Sequence, residues 1–227
     1  MGRLTDLAGG DYSQPRTVGA AFRPHDLVQI APAALTPDAP AWAHAVVARG
    51  EPVVVRRGHR DTTTLPVGVR GASRDRRFAA RVSPSRLRGD PVTPESLVDG
   101  PDPARAARIP ALAVLPALRA AMAPWRGAWG IGGAVGYELA CGAAACHAQS
   151  DLDLILRVGQ TPAPAALRAL AERLATLPVR CDVQLETPAG GVALADWLSA
   201  SPQVLIKSDQ GPYLAADPWA LMAGCTS

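Results

Sequence analysis

Residues 151–158, with the sequence DLDLILRV, constrain the fold more than any other part of this 227-residue chain. Apolar and polar residues alternate along the segment, as they do in a β-strand that buries one face. Because a strand has a two-residue period, Asp151, Asp153 and Arg157 share the face opposite the leucines. The segment therefore predicts a strand that presents two carboxylates on the same side of a sheet.

The next two segments predict a helix and a second strand. Residues 164–177 place leucines at helical spacing, and residues 180–187 alternate again, with Asp182 and Glu186 on one face. If the helix connects neighbouring strands, Asp182 leaves the same sheet face as the two aspartates of the first strand. Glu186 lies on that face as well, but farther along, and the sequence leaves open which of the two joins the pair.

Two aspartates one residue apart on a strand are well placed to hold a magnesium ion. Magnesium prefers hard oxygen ligands and usually keeps waters and substrate phosphates as its remaining partners. We therefore predict that Asp151 and Asp153 are catalytic and bind Mg²⁺, with Asp182 as the best third ligand. The competing interpretation is a solvated acidic strand face, which is common in proteins.

A glycine turn precedes this strand. Residues 132–136 have the sequence GGAVG and lead into a predicted helix through residue 140. Backbone N–H groups of such a turn bind phosphate, because glycine allows close approach and the helix N-terminus favours anions. The turn predicts phosphate binding by four of its residues: Gly132, Gly133, Ala134 and Gly136.

The order of glycine turn, helix and Asp-x-Asp strand resembles the nucleotidyltransferase superfamily of polymerase-beta type. In that superfamily a Gly-Ser turn holds the triphosphate, and carboxylates hold the metal ions. Ala134 stands here where the superfamily has the serine, so that the backbone N–H groups would bind the phosphate without a side-chain hydroxyl.

The remaining chain predicts an α/β (α+β) protein with two domains. Residues 1–20 are interpreted as a disordered leader, 21–100 as a small N-terminal α/β domain, and 101–227 as a mixed-sheet, nucleotidyltransferase-like domain. In the first domain we predict a helix at 41–48 and strands at 52–55, 65–71 and 77–82. Prolines between residues 84 and 103 indicate a loop that contains the domain boundary.

Charge and cysteine content limit the classes of function. The net charge of +3 is too small to indicate non-specific nucleic-acid binding, and no apolar run reaches the length of a membrane span. The four cysteines have no zinc-site spacing, which favours free thiols in the cytoplasm. Arg70 and Arg77 are predicted to bind the triphosphate or an acidic carrier protein, and a solvated basic face explains them equally well.

Four segments narrow the resemblance to one family. Residues 23–27 (RPHDL), 66–71 (PVGVRG), 150–154 (SDLDL) and 182–191 (DVQLETPAGG) resemble the malonate decarboxylase holo-acyl-carrier-protein synthases, also called phosphoribosyl-dephospho-CoA transferases. The resemblance runs from about residue 23 to 219. It implies transfer of a phosphoribosyl-dephospho-CoA group from its triphosphate precursor to a serine of the apo acyl carrier subunit, with release of pyrophosphate.

Two other functions remain open from the sequence. The chain is alternatively another metal-dependent nucleotidyltransferase with an ordinary nucleotide as substrate, or a non-catalytic module that docks the acyl carrier protein. Dependence on magnesium separates the enzymes from the docking module. The retained carboxylates Asp151, Asp153 and Asp182 favour an enzyme.

Overall fold

The computed structural model describes residues 22–59, 63–73, 75–97, 100–199 and 201–220. They form two compact units, the first made of the residues up to Thr93 together with Tyr137–Ala145, and the second of Pro94–Gly136 together with the residues from Cys146 onward. Both units combine strands with helices, which confirms the predicted mixed α and β class. The predicted leader, residues 1–20, lies outside the described residues.

The first unit contains an antiparallel sheet that packs against a helix of two turns. The strand order is β4-β3-β2-β1-β5, and helix α1 contributes Ala43, Val46 and Val47 to the same apolar core as the strands. The elements are β1 (Leu27–Ile30), α1 (Ala41–Ala48), β2 (Val53–Val55), β3 (Leu65–Arg70), β4 (Arg77–Val82) and β5 (Leu87–Val92).

Strand β5 lies inside the segment for which a loop was predicted, and that prediction was wrong. The strand stands at the end of the sheet order and pairs with β1, with a register shift between Leu27 and Gln29. Pro91 falls within the shifted stretch, where its missing N–H interrupts the ladder at little cost. The proline that indicated a loop is therefore tolerated because of its position at a sheet edge.

The second unit contains a larger, mixed sheet with the strand order β11-β10-β9-β8-β7-β6. Strands β7 and β8 are parallel, and the other neighbours are antiparallel. The strands are β6 (Trp129–Ile131), β7 (Leu152–Arg157), β8 (Cys181–Thr187), β9 (Gly190–Ala193), β10 (Val204–Ser208) and β11 (Gly211–Ala215). The helices are α2 (Pro103–Ala106), α3 (Pro110–Ala113), α4 (Leu115–Met122), α6 (Pro164–Ala175) and α7 (Leu194–Leu198), together with the first residues of α5 (Gly133–Cys141), whose residues from Tyr137 onward belong to the first unit.

The predicted strand, helix and strand are present as β7, α6 and β8. The leucines at helical spacing, Leu167, Leu170 and Leu174, are buried, which explains why one side of α6 is apolar. A helical crossover of this kind joins parallel neighbours in a sheet. The expectation that the helix makes the two strands neighbours is confirmed.

Proline and glycine shape two further parts of this unit. Residues 110–122 form two helices divided at Val114, and Pro116 lies in the first turn of α4, where its missing N–H breaks no helical bond. Residues 190–193 form β9, in which Gly190 lies against the backbone of Lys207, where a Cβ would overlap the carbonyl.

None of the helices in the described part of the chain is both long enough and apolar enough to cross a membrane.

Candidate active site

The register of the parallel strands places Asp153 beside Asp182. Asp153 on β7 is the direct partner of Asp182 on β8, and partners on parallel neighbours point to the same face of the sheet. Both residues are partly buried. The sheet thus brings two carboxylates together from segments that are separated by the whole of α6.

Glu186 has a different environment on the same strand. It lies four residues beyond Asp182, about 13 Å along β8, and is paired with Arg157. The guanidinium of Arg157 is 3.7 Å from Glu186 Oε2 and donates a 2.9 Å hydrogen bond to Glu95. Gln184 donates to the other Glu186 oxygen at 2.6 Å. Glu186 is therefore part of an ion-pair cluster, whereas Asp182 is next to Asp153.

Asp151 lies at the start of the same strand, where a tight turn fixes it. Ser150 is buried, its hydroxyl accepts a 3.0 Å hydrogen bond from the backbone N–H of His147, and its own N–H donates to the His147 carbonyl. The turn holds the partly buried Asp151 immediately before Leu152, the first residue of β7. His147 takes part in this turn through its backbone and its ring, since Nδ1 accepts from the Gln149 N–H.

The glycine turn lies directly against Asp153. The N–H of Gly132 donates a 2.8 Å hydrogen bond to the main-chain oxygen of Asp153. Gly133 begins α5 with a φ of +59°, and a Cβ at this position would overlap the Asp153 carboxylate. A carboxylate is favourable there, because the N-terminus of a helix carries partial positive charge. The turn and the acidic strand, which the sequence suggested separately, are thus in contact.

The other turn residues support this arrangement. Gly136 donates to the Gly132 carbonyl at 2.7 Å, and a Cβ on Gly136 would overlap the backbone of Ile131. Ala134 is partly buried in the first turn of α5. Glycine is favoured at residue 133 by the left-handed φ and the adjacent Asp153 carboxylate, and at residue 136 by the close approach of the Ile131 backbone.

Asp182 also forms an ion pair with Arg180. The shortest distance is 2.8 Å, but the Arg180 and Asp182 side chains are 77% and 42% exposed. An exposed pair of this kind contributes at most about 1 kcal/mol, so it leaves Asp182 available to another cation. Within the described residues, no group of three His, Cys, Asp or Glu side chains is arranged to hold a metal ion by itself.

Arg70 and Arg77 belong to the first unit and face each other across β3 and β4. Arg77 is exposed, whereas the guanidinium carbon of Arg70 lies 5.8 Å from the centroid of the Tyr137 ring. Tyr137 in turn donates a hydrogen bond to Glu51 at 3.1 Å. The pairing of Glu51 with Tyr137 has no signal in the sequence, because 86 positions separate the two residues and no local pattern links them.

Cys141, Cys146 and Cys181 are free thiols, as predicted. Burial raises the pKa of the Cys141 and Cys181 thiols to about 11. Since the thiolate is the nucleophile, at pH 8 both should be alkylated by iodoacetamide on the order of a hundredfold more slowly than an ordinary cysteine. The rates should rise as the pH approaches 11. Peptide mapping measures each rate, with glutathione as the reference thiol, and alkylation at the glutathione rate would contradict this burial effect.

Two family models match the chain. "Phosphoribosyl-dephospho-CoA transferase MdcG N-terminal domain" matches residues 23–89, and "Phosphoribosyl-dephospho-CoA transferase MdcG C-terminal domain" matches residues 96–218. The second match contains the glycine turn and both acidic strands. No solved structure matches the chain.

Curated relatives cover nearly the whole of the matched region. A protein of Pseudomonas putida (strain W619) is 44% identical over 205 residues, which are 89% of this chain and 98% of the relative. A protein of Azotobacter vinelandii is 44% identical, over 88% of this chain and 96% of the relative. A protein of Pseudomonas aeruginosa is 43% identical, over 89% and 96%. All three are named phosphoribosyl-dephospho-CoA transferase.

Proposed function

We propose, since this chain belongs to the phosphoribosyl-dephospho-CoA transferase family and is a transferase, that its acceptor is a serine of the apo acyl carrier subunit of malonate decarboxylase. The donor is triphosphoribosyl-dephospho-CoA, and pyrophosphate is the second product. The transferred group follows from the family. The acceptor and the leaving group are supported by the sequence resemblance and by the chemistry of the site.

The observation that carries this proposal is the juxtaposition of Asp153, Asp182 and the glycine turn. Transfer from a triphosphate needs groups that position phosphate oxygens and offset their charge. Asp153 and Asp182 are register partners, and the turn at Gly132 and Gly133 lies against Asp153. Carboxylates and a glycine turn of the kind that suits phosphate are therefore close together in the second unit.

In the proposed reaction the serine Oγ attacks the α-phosphorus of the triphosphate. The bond between Oγ and the phosphorus forms as the bond from that phosphorus to the bridging oxygen breaks, and pyrophosphate leaves with that oxygen. The serine proton passes to a carboxylate, for which Asp151 and Asp153 are the candidates. The turn at Ser150 fixes the backbone next to Asp151, and the Asp153 carboxylate lies against Gly133.

The donor set fits a magnesium ion. Asp151, Asp153 and Asp182 offer hard carboxylate oxygens, which are the ligands that magnesium prefers. Magnesium usually binds through one or two carboxylates and completes its coordination with water and substrate phosphate. When bound, magnesium would offset the charge of the triphosphate and of the pyrophosphate leaving group. Asp182 is preferred over Glu186 because Glu186 is engaged by Arg157 and Gln184.

The function is tested by the intact mass of the purified apo carrier subunit after incubation with this protein, the triphosphate precursor and magnesium. We expect a mass gain equal to the phosphoribosyl-dephospho-CoA group, and release of one pyrophosphate per carrier modified. A gain without pyrophosphate would contradict the leaving group. No gain with a precursor that a related transferase accepts would contradict the acceptor.

Removal of the metal is expected to stop the transfer. With excess chelator the mass gain should fall to the level without enzyme, and added Mg²⁺ should restore it, because the carboxylates alone repel the triphosphate. Binding of the carrier subunit, measured by calorimetry, should continue in chelator. Transfer at the full rate in chelator would contradict the magnesium site, and carrier binding without any transfer would favour the docking module.

A further inference from the structure

A cleft within the first unit contains charged groups that the proposed reaction does not use. Its volume is about 200 Å³. It is formed by three segments of that unit, namely residues 49–51, 70–72 and 137–145. The lining residues are Arg49, Glu51, Arg70, Gly71, Ala72, Tyr137, Ala143, Ala144 and Ala145.

Glu51 accepts hydrogen bonds from two of the side chains at the cleft, Arg49 and Tyr137. One Glu51 oxygen accepts a 2.6 Å hydrogen bond from Arg49 Nε, and the other accepts a 3.1 Å bond from the Tyr137 hydroxyl. Tyr137 is buried, and burial raises its pKa, so the hydroxyl keeps its proton and remains a donor to Glu51. Glu51 thus orients both side chains at the cleft.

Two guanidinium groups, those of Arg49 and Arg70, line the cleft together with the Glu51 carboxylate. The Arg49 side chain is 58% exposed even though its Nε is held by Glu51. A guanidinium has five N–H donors, of which the Nε bond uses one, and its planar geometry suits phosphate oxygens.

The other walls of the cleft leave room for a polyatomic anion. Gly71, Ala72 and Ala143–Ala145 are small residues, so a ligand reaches the guanidinium groups without displacing large side chains. Ala145 is itself fixed, because its N–H donates a 2.9 Å hydrogen bond to the buried Glu138. The volume suits a phosphate or diphosphate group better than a whole coenzyme.

We propose that this cleft binds the diphosphate of a coenzyme-A-like nucleotide, with Arg49 and Arg70 holding the phosphate oxygens and Glu51 positioning Arg49. The inference relies on the proposed function only for the choice of nucleotide. It assigns the first unit a substrate-binding role of its own, apart from the carboxylates of the second unit.

The test is calorimetric titration of the full chain with 3′-dephospho-CoA, ADP and adenosine. Both diphosphates should bind, and adenosine, which has no phosphate, should not. Arg49→Gln and Arg70→Gln should each weaken diphosphate binding about tenfold to a hundredfold, because each removes a hydrogen bond to a charged group. Arg88→Gln is the matched control, since it removes an exposed guanidinium of the same unit outside the cleft. Thermal unfolding of each variant verifies the fold.

Three results would overturn the cleft assignment: no binding of either diphosphate, wild-type binding in both cleft variants, or equal weakening in the Arg88→Gln control. Its failure is distinguishable from failure of the proposed function. If the wild type modifies the carrier while both Arg49→Gln and Arg70→Gln bind diphosphates normally, the reaction is supported and the cleft assignment is contradicted. If the cleft variants lose binding but the wild type never modifies the carrier, the cleft stands and the acceptor is wrong.

Discussion

Replacing Asp153 with asparagine is expected to lower the rate of transfer on the order of a thousandfold. Asparagine keeps the shape of the side chain but removes the negative charge that holds a cation and the oxygen that accepts a proton. Asp153 is central to the site, because Asp182 is its register partner and Gly133 lies against its carboxylate. The measurement is a single-turnover time course of carrier modification by intact mass.

The variant is expected to remain folded. The lost attraction between the Asp153 carboxylate and the N-terminus of α5 costs about 1 kcal/mol or less, which urea unfolding measures. Asp196→Asn is the matched control, because Asp196 is an exposed carboxylate on α7 of the same unit. A wild-type rate of transfer in the Asp153 variant, or an equal loss of rate in the Asp196 variant, would contradict a role of Asp153 in the reaction.

Replacing Gly133 with alanine is expected to lower the transfer rate about a hundredfold. The added Cβ would overlap the Asp153 carboxylate, so that this side chain must move away from its position at the turn. A displacement of about 1 Å at a reacting centre is sufficient for an effect of this size. The same single-turnover assay measures it.

Gly142→Ala separates this displacement from backbone strain. Gly142 has a φ of +75°, close to the +59° of Gly133, but a Cβ at Gly142 meets no atom within 4 Å. Both substitutions should therefore cost about 1–2 kcal/mol of stability for the left-handed conformation. Transfer should fall only in Gly133→Ala, and an equal loss in both variants would assign the effect to strain.

The acidic strands were predictable because the sequence pattern that specifies each strand lies within the strand itself. A two-residue alternation specifies which face of β7 and β8 is buried, and a helix of 12 residues between them specifies parallel neighbours. These two rules together place Asp153 on the same face as Asp182. They could not give the exact register. In the observed register Asp182 is the partner of Asp153, and Glu186 is the partner of Arg157.

Edge strands were harder to predict because pairing stabilises them more than their own sequence does. Strand β5 contains Pro91, and β11 contains Pro212 and the exposed Leu214, residues that weaken the sequence signal of a strand. Both are nevertheless paired with a neighbour, β5 with β1 across a register shift and β11 with β10. The contact of Tyr137 with Glu51 was unpredictable for a related reason, since it depends on how distant segments pack.

The family was predictable from four short motifs, and the comparisons confirm it over most of the chain. The likeness of the second unit to the polymerase-beta superfamily stays a prediction, as do the roles of the individual site residues. The fold shows how these residues are arranged. Asp153 on β7 lies against the glycine turn and is the register partner of Asp182 on β8. This arrangement motivates the central claim that the two carboxylates act together in the transfer.

The most direct test of that claim is a double-mutant cycle on the single-turnover rate, with Asp153→Asn, Asp182→Asn and the double variant. Groups that act as one unit give non-additive losses. We expect each single variant to lose most of the rate, and the double variant to be about as slow as the slower single variant. Losses that multiply, or a wild-type rate in Asp182→Asn, would contradict a reaction centre shared by Asp153 and Asp182.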